Sequence, residues 1–277
     1  MNRIRIGVIP AAGEGKRLGY LSYILPKCLF PLYDKPIIHH IVANMKNVGV
    51  EQVYIIVNYQ KDKVIEYFKQ AQDEIGVGID FVEQTRLSGI ADAIMLTRGS
   101  INEPFMVILG DDCTITKSLD NITRLFFEHD ATVIEGIVTE DDEAMLESTC
   151  CLRLDQDKRI VEIEEKPKKP FSNLRGCGIY VFQTDIFNYI EKTPLSLIRN
   201  EVEITETIAL VLRDRRAYGE FINGMNVNIN SYEDLLQAWI LMQQFKLMLI
   251  SGTKEFDTAG SKTRTLAFSV SKANKYK

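Results

Sequence analysis

Short apolar runs alternate with longer amphipathic stretches through the first 112 residues, and this alternation constrains the fold more than any other feature. The apolar runs 4–9, 53–58, 79–84 and 105–112 are bounded by turn residues and rich in β-branched side chains, as expected of strands that are covered on both faces. Between them, residues 36–49, 63–76 and 89–101 have helical periodicity. Strands that alternate with helices form βαβ units, so we predict an α/β fold with a Rossmann-like, mostly parallel sheet flanked by helices.

The second half of the chain has a different pattern. Residues 150–155, 159–165 and 176–182 are strand-like, closely spaced and partly alternating, which favours an antiparallel extension covering about residues 140–182. Helical periodicity returns at residues 201–214 and 232–250. We therefore predict one domain over residues 1–250, followed by a basic tail, residues 251–277, of the kind that is more often a mobile end than a site.

Composition excludes several classes of partner. The 277 residues contain 33 Lys and Arg against 38 Asp and Glu, so the net charge of −5 gives no reason to expect nucleic acid or an anionic membrane surface as partner. The apolar start of the chain stops at Pro10, which makes a poor signal peptide, and no segment approaches the roughly 18 apolar residues of a membrane span. Five cysteines without CxxC spacing and three histidines form no zinc pattern. We predict a reducing, cytoplasmic location.

The loop after the first predicted strand is a candidate phosphate site. Residues 9–19, IPAAGEGKRLG, supply small residues, so the backbone can turn its N–H groups toward an anion. Arg17 can add a guanidinium fork and Lys27 a second cation. The same residues also suit an ordinary turn with solvated cations. The run lacks the third glycine and the following helix of the dinucleotide fingerprint, and it is not followed by the Gly-Lys-Ser/Thr of a P-loop.

A series of further motifs extends this loop into a recognisable pattern. IPAAGEGKRLG is followed by PKCLFPLYDKPII, EQTRLSGIADA (83–93), VILGDD (107–112), EEKP (164–167), GCGIY (176–180), EITE (203–206) and NVNINSYEDL (226–235). In this order the motifs resemble the sugar-1-phosphate nucleotidylyltransferases, especially the glucose-1-phosphate thymidylyl- and uridylyltransferases. The resemblance implies the nucleotide-diphospho-sugar transferase fold, with a nucleoside triphosphate and a sugar 1-phosphate as substrates and pyrophosphate as a product. Members often form homo-oligomers.

By resemblance, the nucleotide-binding residues lie in two motifs. The backbone of the first three loop residues holds the nucleoside, the next part of the loop holds the triphosphate, and two residues of the second motif read a pyrimidine. These residues are Ala11, Ala12 and Gly13, then Gly15, Lys16 and Arg17, and finally Gln84 and Gly89. Arg17 stabilises the leaving pyrophosphate. Thymine and uracil share a hydrogen-bonding edge and differ by a methyl group, so dTTP and UTP both remain open.

The resemblance also assigns residues to the sugar phosphate and to a metal. Lys27 contacts the transferred phosphate, and Lys166 grips the sugar phosphate; both, with Arg17 and Asp111, form the expected catalytic set. Glu165 accepts hydrogen bonds from sugar hydroxyls, and Gly178 and Tyr180 shape the sugar pocket. Asp111 ends a predicted strand at the ligand edge of the sheet, where a carboxylate can hold Mg²⁺. The second metal position of the family falls on Asn228.

Three positions depart from the family pattern, and they leave alternatives open. Asn228 replaces a carboxylate, Cys150 takes the place of a glycine whose backbone meets the sugar, and Lys16 replaces a threonine. The sugar remains open for that reason. An active Mg²⁺-dependent enzyme is one hypothesis, and a non-catalytic nucleotide- or nucleotide-sugar-binding relative with a regulatory or assembly role is the other. A cytidylyltransferase for a polyol or amino-alcohol phosphate shares the loop and the Pro-Lys pair, but EEKP and EITE argue against it.

Overall fold

The computed structural model describes residues 3–116, 118–196 and 199–251, and within them strands and helices alternate along the chain. The strands are β1 (Ile6–Pro10), β2 (Pro31–Leu32), β3 (Lys35–Pro36), β4 (Gln52–Val57), β5 (Gly78–Glu83), β6 (Phe105–Ile108), β7 (Asp112–Thr116), β8 (Val133–Thr139), β9 (Cys150–Leu154), β10 (Ile160–Glu165), β11 (Leu174–Phe182), β12 (Ala217–Phe221) and β13 (Gly224–Asn228). The helices are α1 (Gly19–Ile24), α2 (Ile37–Asn47), α3 (Lys61–Ile75), α4 (Ile90–Met95), α5 (Asp120–Glu128), α6 (Glu143–Ser148), α7 (Ile186–Lys192), α8 (Ile204–Val211) and α9 (Tyr232–Ser251).

The central sheet joins a parallel half to an antiparallel half. Its order among the described residues is β10-β9-β11-β6-β1-β4-β5, and β8 pairs with both β11 and β12. Strands β6, β1, β4 and β5 are parallel, whereas β11 runs antiparallel to β6, β8 and β9. The predicted α/β fold is therefore confirmed, and the antiparallel extension is continuous with the parallel sheet.

Helices bury apolar side chains against both faces of this sheet. One face packs against α2, α3, α5 and α9 through residues such as Met45, Phe68 and Ile122. The other face packs against α4, α7 and α8 through residues such as Ile94 and Ile208. Because side chains alternate along a strand, the continuous apolar run of β1 can serve both cores: Val8 lies in one and Ile9 in the other.

Three expectations about element boundaries were wrong. The run 105–112 is not one strand, because β6 ends at Ile108 and a turn, closed by the Asp112 N–H on the Leu109 carbonyl at 3.0 Å, separates it from β7. The helix expected at 89–101 ends at Met95 and gives way to turns with bonds three residues apart. Residues 9–19, called the glycine loop below, contain a 3₁₀ turn (Lys16–Leu18) and lead into α1, although no helix was expected there.

Strands β7 and β13 leave the central sheet and form a separate antiparallel ribbon. In its register Asp112 faces Asn228, and the Ile229 N–H donates to the Asp111 carbonyl at 3.0 Å. The ribbon thus brings the end of the predicted domain beside the end of β6. The basic tail lies outside the described residues except for Ser251, which ends α9. Among the described helices none is long and apolar enough to cross a bilayer.

Candidate active site

A cavity of about 250 Å³ opens at the carboxyl ends of the parallel strands β1 and β6, which is where an open α/β sheet binds ligands. Loops that follow these strands, the loop before α4 and the 3₁₀ turn at Lys27–Leu29 form its walls. The lining includes, among the predicted site residues, Ala11, Ala12, Gly13, Lys27, Gln84, Gly89 and Asp111. Residues that are 100 positions apart in sequence thus share one cavity.

The glycine loop is anchored at its start and open at its end. The Ala11 N–H donates to the Ile56 carbonyl at 2.8 Å, which ties the loop to the neighbouring strand β4. Lys16 is exposed and pairs with Glu14 at 2.7 Å. Arg17 is also exposed and makes no hydrogen bond or ion pair with any residue that the structure describes. Neither cation lines the cavity, and nor does Gly15. Arg17 keeps its guanidinium available for an anion.

Gln84 is positioned at the inner end of the cavity. The side chain is 4% exposed, and its amide nitrogen donates to the Gly89 carbonyl at 3.3 Å and to Asp92 Oδ2 at 3.2 Å. The backbone of Gln84 is held in turn by the Asn58 amide, which donates to its carbonyl at 2.6 Å. These bonds fix the amide orientation and leave the side-chain oxygen of Gln84 as an acceptor for a ligand.

Lys27 is the centre of a polar cluster on the opposite wall. Its ammonium donates to Asp111 Oδ2 at 2.8 Å and to Asn230 Oδ1 at 3.0 Å. Asn230 in turn donates to the Asn228 side-chain oxygen. The Lys27 side chain is only 11% exposed, so this cation is held in a fixed position by a carboxylate and an amide. Asn230 could not be singled out from sequence, because its contact with Lys27 spans 203 residues.

The oxygen atoms at this cluster suit a divalent cation that arrives with substrate. Asp111 contributes one carboxylate, and Asn228 and Asn230 contribute amide oxygens at the end of the β7–β13 ribbon. Within the described residues no group of three or more His, Cys, Asp or Glu could hold a metal by itself. Mg²⁺ usually binds through one or two carboxylates together with substrate phosphates. The residues present fit that arrangement and not a metal site made by protein alone.

Asp112, next to Asp111, belongs to a buried network and not to the metal cluster. It is 1% exposed and accepts a hydrogen bond from the Asn226 amide at 3.0 Å. Arg175 donates to the Asn226 side-chain oxygen at 3.0 Å and pairs with Glu140 at 3.4 Å. Burial, and then the charge of Asp111, raise the pKa of the Asp112 carboxyl to about 8. The side chains of the two adjacent acids therefore have different environments: Asp111 lies in the turn and reaches the cavity, whereas Asp112 begins β7 and is buried.

The predicted sugar-phosphate pair sits where β10 ends. Glu165 accepts a hydrogen bond from Thr205 at 3.0 Å and pairs with Arg199 at 3.4 Å. Lys166 has a φ of 52°, in the left-handed region, which ordinary side chains adopt at a cost and which clusters at functional sites. Its N–H donates to the Thr149 carbonyl at 2.8 Å. Sequence reasoning missed Arg199, although this residue lies four positions before the EITE motif (203–206).

Gly178 and Tyr180 lie on β11, at an irregularity in its pairing with β8. Gly178 has a φ of 65°, and a Cβ atom built there would lie 1.9 Å from Asp112 Oδ2, so no other residue fits. Tyr180 is buried, and burial raises the pKa of its phenol well above the usual value. Cys150 is 8% exposed and faces Glu165 across the β9–β10 ladder. The structure thus brings Cys150 together with the predicted sugar residues.

This arrangement has the architecture of the nucleotide-diphospho-sugar transferase fold. The family model described as nucleotidyl transferase matches residues 6–240, and the chain belongs to that family. The Bifunctional protein GlmU of Methanocaldococcus jannaschii is 32% identical over 231 residues, which cover 83% of this chain and 52% of that protein. The chain thus spans about half the length of the GlmU relatives that it matches.

Other relatives match over almost their whole length. The UTP–glucose-1-phosphate uridylyltransferase AglF of Haloferax volcanii is 30% identical over 239 residues, which cover 86% of this chain and 96% of that protein. Among solved structures, a UDP-glucose pyrophosphorylase complexed with UDP-glucose superposes with a TM-score of 0.79 at 26% identity, covering 87% of this chain and 99% of the other. A putative glucose-1-phosphate thymidylyltransferase from Bacillus anthracis gives a TM-score of 0.78 at the same identity, covering 87% of this chain and 99% of that one.

Proposed function

We propose that this chain transfers a nucleotidyl group from dTTP or UTP to a glucose-1-phosphate-like sugar 1-phosphate, forming a nucleotide sugar and pyrophosphate. The observation that carries this proposal is the nearly buried Lys27, held at 2.8 Å from Asp111 on the wall of a cavity that Ala11, Ala12 and Gly13 also line. A fixed cation beside a carboxylate at the phosphate end of such a cavity is suited to charge stabilisation during phosphoryl chemistry.

The nucleotide part of the proposal rests on two parts of the site: Gln84 with Gly89, and the loop that follows β1. The Gln84 side-chain oxygen accepts from the ring N–H of a pyrimidine, and the backbone near Gly89 meets the base edge. The backbone of Ala11 to Gly13 holds the nucleoside, and the loop from Gly15 with Lys16 and Arg17 holds the triphosphate. Arg17, which lacks a partner among the described residues, neutralises the departing pyrophosphate.

The chemical step needs no nucleophilic side chain. An oxygen of the sugar phosphate attacks the α-phosphorus in line, the bond to pyrophosphate breaks, and the protein holds two anions in the reactive geometry. Lys27 stabilises the charge that develops on the transferred phosphate, and Lys166 holds the sugar phosphate. Glu165 orients the sugar through its hydroxyls, within a pocket shaped by Gly178 and Tyr180.

Mg²⁺ is part of this proposal. Asp111 would hold it together with the Asn228 amide oxygen, and the ion would supply positive charge that stabilises the substrate phosphates. Lys27 orients the Asp111 carboxylate through the 2.8 Å contact before the substrates arrive. The Asn230 amide donates a hydrogen bond to the Asn228 side-chain oxygen and so fixes the orientation of that oxygen.

The proposal extends to the setting of the protein. All five cysteines are free and buried, which supports a reducing, cytoplasmic location. Nucleic acid and membranes are not among the proposed partners. Helix α9 exposes apolar residues, among them Leu236, Leu247 and Ile250, and this supports assembly into a homo-oligomer.

Pyrophosphate release tests the proposal. The chain is incubated with each of ATP, GTP, CTP, UTP and dTTP against several sugar 1-phosphates, with and without Mg²⁺. We expect turnover with UTP or dTTP and its loss in Asp111→Ala, while Asp73→Ala, an exposed acid on α3, leaves the rate unchanged. Absence of turnover with every pair, while nucleotide still binds, would contradict catalysis.

The second candidate is a non-catalytic binding protein with a regulatory or assembly role. The observation that favours it is the amide pair Asn228 and Asn230 at the position of a metal carboxylate. Asn228→Asp separates the two candidates. Turnover that appears only in Asn228→Asp would establish that the missing carboxylate abolished catalysis, whereas wild-type turnover would establish that Asp111 suffices.

A further inference from the structure

The side chain of Asn226 joins the β7–β13 ribbon to the central sheet. Its amide nitrogen donates to Asp112 Oδ1 and to Thr114 Oγ1, both at 3.0 Å, and these two acceptors belong to the opposite strand of the ribbon, β7. The same nitrogen donates to the Cys177 carbonyl of β11 at 3.4 Å. One amide group therefore connects both strands of the ribbon with a strand of the central sheet.

Arg175 holds this amide from the side of the central sheet. Its guanidinium donates to the Asn226 side-chain oxygen at 3.0 Å and to the Asn226 backbone carbonyl at 3.3 Å. Arg175 is 4% exposed, and its ion pair with Glu140 at 3.4 Å balances its charge. Because the oxygen of the Asn226 amide accepts from Arg175 and the nitrogen donates to the ribbon, the amide cannot turn over without losing bonds on both sides.

The two proposed metal ligands lie next to the groups that this amide joins. Asn228 follows Asn226 by two residues on β13, so the two side chains share one face of the ribbon. Asp111 directly precedes Asp112, which faces Asn228 in the register of the ribbon. Asp111 is thus one residue away from an acceptor of the Asn226 amide, and Asn228 is two residues away from Asn226 itself.

The position of the ribbon relative to β11 matters for the metal site. A two-stranded ribbon is marginally stable unless it packs against other elements, and the space beside Gly178 lets Asp112 approach β11 closely. Mg²⁺ demands near-ideal octahedral geometry, and in this site the protein supplies one carboxylate and amide oxygens. With so little protein charge to attract the ion, its affinity depends on how well the oxygens of Asp111 and Asn228 are placed.

We infer that Arg175 and Asn226 are positioning residues for Mg²⁺, which fix the β7–β13 ribbon against β11 and thereby keep the Asp111 and Asn228 oxygens at one separation. This inference rests on the proposed function, since it names the residues that prepare the metal site of the same reaction. Neither Arg175 nor Asn226 lines the active-site cavity, so both act through the ribbon. Replacing an outer partner of a metal ligand typically lowers metal affinity by about 10- to 100-fold.

The test uses Mn²⁺ as a paramagnetic substitute for Mg²⁺, with the full chain and each of UTP and dTTP. Water proton relaxation distinguishes Mn²⁺ on the protein–nucleotide complex from Mn²⁺ on free nucleotide. We expect Arg175→Met and Asn226→Ser each to weaken Mn²⁺ binding to the complex by about tenfold or more. In turnover assays the half-saturating Mg²⁺ concentration should rise by a similar factor, while KM for the nucleotide at saturating Mg²⁺ stays within about twofold of wild type.

Arg216→Met is the matched control. Arg216 pairs with Asp185 at 2.6 Å and with Asp130 at 3.1 Å, and its carbonyl accepts from the N–H of Val133, the first residue of β8. Through β11 this end of β8 aligns with the start of β6, at the edge of the sheet opposite the cavity. Arg216→Met should therefore lower the Tm and keep the wild-type affinity for Mn²⁺.

Three results would overturn the inference. They are a wild-type complex that binds no Mn²⁺, an equal loss of Mn²⁺ affinity in Arg216→Met, and an affinity within about threefold of wild type in both ribbon variants. If circular dichroism shows that one ribbon variant does not fold, the other decides by the same criterion. If wild type turns over no pair of substrates, the proposed function fails separately, and the Mn²⁺ affinities still support or overturn the positioning role.

Discussion

Lys27 shows how one side chain can depend on distant parts of the chain. Its ammonium is bonded to Asp111, which directly precedes β7, and to Asn230, which lies two residues after β13. A lysine in solution samples many rotamers, but these two acceptors hold the Lys27 ammonium in one place before any ligand binds. Preorganised charge of this kind acts without reorganisation at the moment of reaction.

Replacing Lys27 should therefore reduce the rate more than it reduces folding. We expect Lys27→Ala to lower kcat on the order of 100-fold, which corresponds to about 3 kcal/mol of transition-state stabilisation. Steady-state pyrophosphate release at saturating substrates measures this loss. Lys69→Ala, an exposed lysine on α3, is the matched control, and a loss below tenfold in Lys27→Ala would contradict the assigned role.

Gly178 carries a prediction about stability. A Cβ atom there would lie 1.9 Å from Asp112 Oδ2, and its φ of 65° disfavours any side chain. We expect Gly178→Ala to reduce the free energy of unfolding by about 2–4 kcal/mol, because strain and overpacking add. Gly99→Ala, where a Cβ meets nothing within 4 Å, should change it by less than about 0.5 kcal/mol. If urea unfolding showed the same loss of unfolding free energy in Gly178→Ala and Gly99→Ala, the steric explanation for Gly178 would be contradicted.

At the scale of single residues, the sequence predicted which residues lie together better than it predicted their contacts and backbone conformations. The start of the glycine loop (11–13), Lys27 and Asp111 line one cavity, whereas Lys16 and Arg17 do not; each of these residues stands in a recognisable motif. The left-handed backbone of Lys166, the burial of Glu135 and the partners of Asn230 leave no such local signal. These features arise from contacts between residues that are far apart in sequence, which periodicity and motif spacing do not report.

The strands divide into those that were predictable and those that were not. Strands β1, β4 and β6 are mostly apolar runs, because both of their faces are covered by helices. The edge strand β5 was predicted as well, although Asp80 interrupts its apolar residues and none of its side chains is fully buried. Strands β7, β8, β12 and β13 were missed, because acids, amides and glycines interrupt their apolar pattern. In β8 the interruption is Glu135, and in β13 it is Asn226 and Asn228. Polar residues in a strand are thus informative about the site, even where they obscure the strand itself.

The stability of the β8 region should depend on pH through Glu135. Burial raises its pKa to about 8 from an ordinary value of 4.5, so the folded state binds this proton more tightly than the unfolded state. Its contribution to stability is therefore complete below the unfolded pKa and is lost as pH rises through the folded pKa. We expect the gain in Tm from Glu135→Gln to be larger at about pH 9 than at about pH 5.

Calorimetry at the two pH values checks this expectation. The groups around Glu135 with charges or protons of their own are Glu165, Asp112, Cys150 and Tyr180, and they are common to both proteins. Their own titration therefore largely cancels in the difference between variant and wild type. Glu147→Gln, at an exposed acid on α6, should show no such pH dependence. A gain in Tm that is the same at both pH values would show that Glu135 is not the titrating group.

At the scale of the whole molecule, ligands should act as stabilisers. Substrate that binds only the folded protein adds about 2.7 kcal/mol at 100 times its dissociation constant, which for a chain of this size raises Tm by about 5–10 °C. We expect dTTP or UTP with Mg²⁺ to give this shift, and ATP and GTP to give much less. Asp111→Ala should lose the part of the Tm increase that depends on Mg²⁺. Equal shifts with purine and pyrimidine nucleotides would contradict the assignment of Gln84.

The bond between Lys27 and Asn230 has a consequence for how the protein is made. The glycine loop and Lys27 are synthesised early, whereas Asn230 follows 203 residues after Lys27, in the connection between β13 and the final helix of the described chain. A nascent chain can form the parallel sheet long before that partner exists. The polar cluster around Lys27 is therefore completed late in synthesis, so a ribosome-bound fragment would carry the proposed nucleotide loop without the Asn230 contact.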